Sequence, residues 1–174
     1  MIKNFKIICF IILSLNISLL KALKAEQKYN NFISPSSKSY FIQHESNEIF
    51  QVKVLRTNEE LAKGFSGILP EQVSPHQGLF FMFEKKEKKF FWMPNTYFDL
   101  TIIYLDENLK VLEIIRKAPH HIGYSENNGL IFRAPPIFAR HVLEIQASSP
   151  MGEKIQVGSQ FSWVKNSPPG FQQK

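Results

Sequence analysis

Three short apolar segments, separated by polar residues, place the strongest limit on how this chain can fold. They cover Leu79 to Phe83, Phe90 to Met93 and Leu100 to Leu105. Each is shorter than a typical helix and rich in aromatic or β-branched residues, which favours strands. Because each segment is apolar on both faces, we expect three central strands side by side in one sheet. A second sheet would cover one side of them, and loops or a helix the other.

Further segments predict the remaining strands. Ile49 to Leu55 alternates apolar and polar residues, as a strand with one buried face does. The turn residues Asp106 to Asn108 precede Val111 to Ile115, which predicts a hairpin. Arg140 to Ile145 and Gln160 to Val164 add two more strands. The sequence therefore predicts a mostly β protein, a compact sandwich or jelly-roll-like barrel with one or two short helices.

Two short helices are indicated by their capping residues. Thr57 and Glu60 match a capping box, in which the threonine hydroxyl accepts from a first-turn amide and the glutamate reaches back. The helix that follows, Asn58 to Lys63, would end at Gly64, since glycine tolerates positive φ. Ser149-Pro150 resembles a second helix start, with serine as cap and proline in the first turn.

The first 25 residues have the order of a secretory signal. Lys3 and Lys6 precede an apolar run from Ile7 to Leu20, and Ala25 is a small residue suited to cleavage. The run is shorter than the roughly 20 residues of a membrane-spanning helix. We expect a cleaved signal peptide, a periplasmic or extracellular protein and no membrane span after cleavage; an uncleaved anchor is the alternative.

Cleavage would change the charge and cysteine content of the chain. It removes four lysines and no acid, so the formal charge falls from +6 to +2 and gives no support for nucleic acid binding. The remaining lysine cluster alternates with Glu84 and Glu87 and is typical of a solvated turn; it comprises Lys85, Lys86, Lys88 and Lys89. The single cysteine, Cys9, lies in the signal, which excludes disulfides, thiolate metal ligands and cysteine nucleophiles from the mature chain.

The chain divides into four parts by composition. After the signal at 1–25, residues 26–48 are polar and are predicted to be a flexible leader. Residues 49–165 form the predicted folded domain, and residues 166–174, with Ser167-Pro168-Pro169-Gly170, form a predicted disordered tail.

Six segments in a fixed order resemble a known family, the domain of unknown function 192, over about residues 50–164. The resemblance implies a small jelly-roll-type β-sandwich that is often exported; the family has no established activity, so it supplies no catalytic residues. Pro94 stands where the family usually has lysine, and Asp99-Leu100-Thr101 where it usually has Pro-Leu-Asp. The matching segments are residues 60–67, 78–83, 91–96, 102–106, 141–145 and 154–158.

Seven side chains are the candidates for a ligand site. No phosphate-binding glycine loop, nucleophile elbow or metalloprotease motif is present, so no cofactor and no metal is predicted. The candidates are polar groups in loops, two residues of one late strand, and a tryptophan beside them. They are Trp92, Asn95, Asp99, His120, His121, Arg140 and Glu144.

Several candidates have structural interpretations as well. Arg140 and Glu144 lie four apart, on one side of a strand, and could form an edge charge network, with His141 as a hydrogen-bonded core histidine on the opposite side. Adjacent His120 and His121 point in different directions on an extended chain and rarely reach one metal ion. Trp92 could stack on a sugar or fill the core beneath a loop.

Three functions are compatible with these features. The first is a non-enzymatic module that binds a small polar ligand or glycan in the cell envelope. The second is an accessory protein that docks on an envelope protein through residues 26–48 and one face of the sheet. The third is a hydrolase or metal-dependent enzyme that uses Asp99, His120 or His121, and Arg140 or Glu144.

Overall fold

A computed structural model describes residues 32–33, 39–165, 168–169 and 171, so the predicted signal segment lies outside the described residues. Within them the chain forms seven strands, one α-helix and two single-turn 3-10 helices. None of the described helices has the length and apolar character that crossing a bilayer requires. The strands are β1 (Tyr40–His44), β2 (Ile49–Leu55), β3 (Gln77–Lys89), β4 (Leu100–Leu105), β5 (Val111–Ala118), β6 (Ile137–Gln146) and β7 (Phe161–Trp163). The helices are α1 (Asn58–Lys63) and the 3-10 turns Pro70–Gln72 and Glu126–Asn128.

All seven strands belong to one curled sheet in the order β5-β4-β6-β3-β2-β1-β7. The two edges of this sheet meet at one corner. The amide of Val111 donates to the carbonyl of Ser159 at 2.9 Å, and the amide of Phe161 donates to Leu109 at 3.1 Å. The prediction of a mostly β fold is confirmed. The covering layer is not a second sheet, however, because the single sheet curls over itself as a half-barrel.

The sheet has an apolar layer on each face, as predicted from the segments that are apolar on both faces. Side chains alternate along a strand, so Phe80 of β3 faces the inside of the curl while Leu79 and Phe81 face outward. The inner layer includes Ile42, Phe50, Phe80, Ile103, Leu143 and Phe161. The outer layer includes Leu79, Phe81, Ile102, Tyr104 and Val142, together with the loop residues Phe65 and Met93.

Helix α1 lies in the crossover between β2 and β3, the one parallel pair of strands in the sheet. The predicted helix bounds and capping box are confirmed. The Glu60 amide donates to Thr57 Oγ1 at 3.2 Å, and Glu60 Oε2 accepts from the Thr57 amide at 3.1 Å. The cap at Gly64 has φ 47°. The crossover thus holds α1 against the outer face of the sheet.

Two adjacent strands approach each other closely at Gly78 of β3. A Cβ atom at this position would lie 2.7 Å from the carbonyl oxygen of Glu144 and 3.0 Å from Ile145 Cγ2. Real Cβ atoms do not come so near a backbone oxygen, so the packing of β3 on β6 here requires glycine.

Two predicted elements are wrong. Phe90 to Met93 is not a central strand: it is a loop with an isolated bridge between Trp92 and Arg133. β6 occupies the place between β3 and β4 instead. Ser149-Pro150 does not start a helix, because the Ser149 hydroxyl donates to the carbonyl of Pro75 at 2.7 Å and the chain continues in turns.

The sheet begins earlier than the sequence predicted, and the lysine cluster is not a turn. β1 lies within the predicted leader, with Tyr40 and Ile42 buried on the inner face. In the predicted tail, the ring of Phe171 lies 5.5 Å from that of Trp163. Residues 85–89 continue β3, and Lys89 is buried with its ammonium group 3.7 Å from the centre of the Phe83 ring.

Candidate functional site

A cavity of about 400 Å³ lies between α1 and the outer face of the sheet. Its roof is α1 with its C-terminal turn, its floor comes from β3, β4 and β6, and the loop from Phe90 to Thr96 closes one side. The volume is within the range of small-molecule sites. The lining includes Ala62, Lys63, Phe81, Phe91, Trp92 and Glu144.

Glu144 places a carboxyl group in the floor of this cavity. The side chain is 4% exposed, and none of the hydrogen bonds or ion pairs among the described residues involves it. Its sheet neighbours on the two adjoining strands are Leu79 and Ile102. Burial raises the pKa of Glu144 to about 8, because an apolar environment disfavours the charged form.

The neighbouring position on β6 shows how a buried polar group in this sheet is usually satisfied. Gln146, two residues after Glu144 on the same face, donates through Nε2 to the carbonyls of Pro70 at 3.0 Å and Val73 at 3.2 Å. Glu144 has no equivalent partner in the described part of the chain. Its carboxyl group faces the space below α1, where a Cβ at Gly64 would lie 3.6 Å from Oε2.

Aromatic rings form the walls around this carboxyl group. The rings of Phe81 and Phe91 meet nearly perpendicularly, with centroids 5.0 Å apart, and Phe91 packs in the same way on Tyr104 at 5.9 Å. Trp92 is 48% exposed at the mouth. The interpretation of Trp92 as a core residue is therefore wrong, because its ring lines the cavity beside solvent.

Two cations of the chain already lie on rings that line the cavity. The Arg133 guanidinium is centred 5.1 Å from the Trp92 ring centroid, and the Lys89 ammonium lies 3.7 Å from that of Phe83. Lys89 is also bonded to Glu87 at 2.7 Å. The aromatic wall and its carboxylates thus accommodate positive groups.

Asp99 and His120, two further candidates, meet at the surface. Asp99 Oδ1 accepts from the ring Nδ1 of His120 at 2.6 Å and from its backbone amide at 2.9 Å. Burial alone would raise the pKa of Asp99, but the hydrogen bonds and charge of His120 outweigh it and lower the pKa. The pair borders an open depression with Lys117 and Ser148, separate from the cavity under α1.

His121 and Asn95 serve the loop structure. The ring Nε2 of His121 bonds the carbonyl of Ser125 at 2.7 Å, and its backbone pairs with Thr96. Asn95 adopts φ 48°, and its amide donates to the carbonyl of Gly123 at 2.6 Å. The rings of His120 and His121 therefore have different partners, Asp99 for the first and the Ser125 carbonyl for the second. Within the described residues no cluster of three metal-ligating side chains exists.

Arg140 stands apart from the cavity, and the predicted edge charge network is wrong. β6 is a central strand, and neither Arg140 nor Glu144 forms an ion pair among the described residues. His141 is a core histidine, as predicted, with its ring 5.3 Å from Phe80 and 5.4 Å from Phe171. The hydrogen bond predicted for it is not found among the described residues. Its Nδ1 has no hydrogen-bond partner there. Burial, then the charges of Arg140 and Lys89, lower the pKa of His141 to about 4.

Sequence reasoning selected Trp92 and Glu144 but missed most of the cavity. Its walls come from α1, β3 and the loop that was predicted as a strand, so no local pattern brings them together. One available signal was the single acid in the apolar segment Val142 to Ile145 of a predicted strand. A lone carboxyl group in such a segment is either paired or at a site.

One protein-family model matches most of the chain. The model of the DUF192 family, described as an uncharacterised ACR, matches residues 41–163. None of the curated proteins compared with the chain matches it.

Two solved structures are similar to the chain in fold. A candidate transcription regulator from Sinorhizobium meliloti 1021 is 19% identical, with a TM-score of 0.56, covering 74% of this chain and 95% of that one. A protein of unknown function from Novosphingobium aromaticivorans DSM 12444 is 23% identical, with a TM-score of 0.57, covering 75% and 91%. At these identities the likeness is one of fold alone.

Proposed function

We propose that this chain, which belongs to the DUF192 family, is a non-enzymatic ligand-binding module that takes a small molecule into the cavity beneath α1. The observation behind the proposal is the environment of the Glu144 carboxyl group. This group is buried, has no partner among the described residues and faces an aromatic-lined cavity of about 400 Å³. A ligand that fills this space would give the carboxyl group the partner that the chain does not provide.

Stability alone gives no reason for such a carboxyl group. Burying an ionisable group without a partner costs several kcal/mol or shifts its pKa until it is neutral. An apolar residue of similar size at position 144 would pack against Leu79 and Ile102 without that cost. Groups retained against this cost are concentrated at binding and catalytic sites, which supports the cavity as the functional site.

We also propose that the module acts outside the cytoplasm, in the periplasm or the extracellular space. The support is the order of residues 1–25, in which a basic start, an apolar run and Ala25 follow one another. There the ligand would be a small polar molecule or glycan, with an envelope protein as the alternative partner. Mass spectrometry of the protein from cell fractions tests the location: the exported form should lack residues 1–25, and a full-length cytoplasmic form would contradict it.

The binding proposal is tested by a ligand screen on the folded protein. Glycans, amines, organic acids and small aromatic compounds are screened by melting temperature and tryptophan emission, since Trp92 lines the mouth. Bound ligands should raise the melting temperature by mass action.

Two matched variants on α1 locate any binding. Ala62 is exposed and lines the cavity, so Ala62→Phe should obstruct it with little effect on the core. Glu59→Phe adds the same ring to the same helix at a position outside the lining. We expect ligands to bind the wild type and Glu59→Phe and to lose affinity for Ala62→Phe. A screen without ligands, or ligands indifferent to Ala62→Phe, contradicts the proposal.

A second candidate function, general-base catalysis, is favoured by one observation. A carboxylate that bonds one ring nitrogen of a histidine orients the imidazole for proton transfer at the other, and Asp99 bonds His120 Nδ1 in this way. Of the five residues first considered for an enzyme, three do not join this pair: His121, Arg140 and Glu144. Hydrolysis of ester and phosphoester probes by the wild type, lost in His120→Ala, would support it; equal rates in both proteins would eliminate it.

A further inference from the structure

We infer that the cavity beneath α1 binds an organic cation, with Glu144 as its counter-charge and the rings of Phe81, Phe91 and Trp92 as its walls. The inference rests on the ligand-binding function proposed above and names the chemical class of the ligand. A substituted ammonium group combines a positive charge with an apolar surface, and both properties match this site.

The rings provide the first argument. Ammonium groups bind the faces of aromatic rings, most strongly where water is excluded. Phe81 and Phe91 meet nearly perpendicularly, with ring centroids 5.0 Å apart, and both line the cavity. Lys89 on Phe83 and Arg133 on Trp92 show that rings of this wall hold cations within the chain itself.

The charges of the lining provide the second argument. The other acid in the wall, Glu87, is already bonded to Lys89 at 2.7 Å. Glu144 is the lining carboxyl group without such a partner, and Lys63, the cation of the lining, forms no ion pair with it in the described residues. The charge that the site lacks, beside an ionised Glu144, is positive.

Binding of a permanent cation should therefore depend on pH. Because burial raises the pKa of Glu144 to about 8, the group is mostly protonated at pH 7 and must lose its proton to pair with the ligand. The other titratable groups of the lining are Lys63 from α1 and Glu87 from β3. Burial and then the charge of Glu144 raise the pKa of Tyr104 on β4, so this phenol is also a neighbour of the carboxyl group. We expect affinity to rise about tenfold between pH 7 and pH 9 and then to level off.

The experiment compares choline with 3,3-dimethylbutan-1-ol, a neutral molecule of the same shape, by calorimetry and tryptophan emission near pH 8. We expect choline to bind the wild type at least tenfold more tightly than the alcohol. Glu144→Gln should lower choline affinity tenfold or more and leave the alcohol unchanged. Glu113→Gln, on the exposed part of β5, is the matched control and should keep the preference.

The outcomes separate this inference from the proposed function. If the alcohol binds as tightly as choline, or Glu144→Gln keeps the preference, the inference of a cationic ligand is wrong although the cavity still binds a ligand. If neither probe binds, the cation inference also fails, and the ligand screen with Ala62→Phe decides the proposed function independently. Trp92→Ala is a second test in case Glu144→Gln does not fold. Because the Trp92 side chain is half exposed, we expect this variant to fold and to bind choline several-fold more weakly.

Discussion

Asp99 Oδ1 accepts two hydrogen bonds from His120, one from the ring at 2.6 Å and one from the backbone amide at 2.9 Å. Both partners are about half exposed, so the pair contributes little to stability. Its main effect is to fix the position of the imidazole ring. The ionised carboxylate accepts these two hydrogen bonds more strongly than the protonated carboxyl group does. The pKa of Asp99 therefore lies below its usual value despite the opposing effect of burial.

His120→Ala should raise the pKa of Asp99, because it removes the ring donor and its charge while keeping the backbone bond. The carboxyl carbon shift of Asp99, followed by NMR during an acid titration, measures this. The stabilisation from the pair is present above the ordinary pKa of 3.8 and is lost as pH falls through the lower folded value. His76→Ala, at an exposed histidine, should leave the titration unchanged; an unchanged pKa in His120→Ala would contradict the assigned bond.

The stability of the protein should fall as pH rises from 6.5 to 8. The folded state holds the Glu144 proton up to about pH 8, whereas the unfolded chain releases it near 4.5. This contribution is therefore present at low pH and lost on the way to pH 8. Over the window, the loss in unfolding free energy is on the order of 2 kcal/mol.

Urea denaturation of the wild type, Glu144→Gln and Glu113→Gln at both ends of that window measures the effect. Glu144→Gln should flatten the profile, and Glu113→Gln should keep its slope. His141 has the opposite effect, because the folded state keeps its ring neutral and the protein loses stability when the unfolded chain takes up that proton. This loss develops mainly as pH falls below the ordinary histidine pKa of 6.5, outside the chosen window. A slope that survives in Glu144→Gln would show that another group titrates.

His141→Phe should leave the protein equally stable or stabilise it by up to about 1 kcal/mol, and more in mild acid. The ring lies among Phe80 and Phe171, and its Nδ1 has no hydrogen-bond partner in the described residues, so an apolar ring removes an unsatisfied group. His121→Phe is the matched control, because its Nε2 bonds Ser125. It should destabilise by about 1–3 kcal/mol. Thermal unfolding compares the two; the reverse order would refute the hydrogen-bond assignment.

Gly78→Ala should destabilise the fold by about 2 kcal/mol or more. The added methyl group would lie 2.7 Å from the Glu144 carbonyl oxygen, so β3 and β6 must separate where the cavity floor is formed. Chemical denaturation measures the loss. Wild-type stability in this variant would contradict the close approach of β3 and β6 at Gly78.

Local patterns predicted the elements whose causes are local. The α1 helix needed only Thr57, Glu60 and Gly64, which satisfy the helix ends within a few residues. The alternation in Ile49–Leu55 and the turn at Asp106 likewise fixed β2 and the β4–β5 hairpin. Asp106 Oδ1 accepts from the amides of Asn108 and Lys110, a contact that the turn residues already indicate.

The errors concern elements that are decided by distant contacts. Phe90 to Met93 has the composition of a strand, but composition reports burial rather than backbone pairing. Its Phe91 is partly buried and packs on Phe81 and Tyr104, so the segment covers the sheet without joining it. In β1 the buried residues Tyr40 and Ile42 alternate with more exposed ones, as in a strand with one buried face. The strand is short and lies in a polar region, and the β7 residues that pair with it are more than a hundred positions away in the sequence.

The contact between Leu109–Val111 and Gly158–Phe161 also bears on how copies of this protein behave at high concentration. An open sheet end offers free amides and carbonyls to another chain and promotes fibril growth. Here the last strand uses such groups within its own molecule. On β5 the stretch beyond this contact carries Glu113, Arg116 and Lys117, and the Arg116 guanidinium is bonded to the carbonyls of Gly152 and Ile155. Breaking the contact between residues 109–111 and 158–161 should expose these backbone groups and favour pairing between the edge strands of different copies.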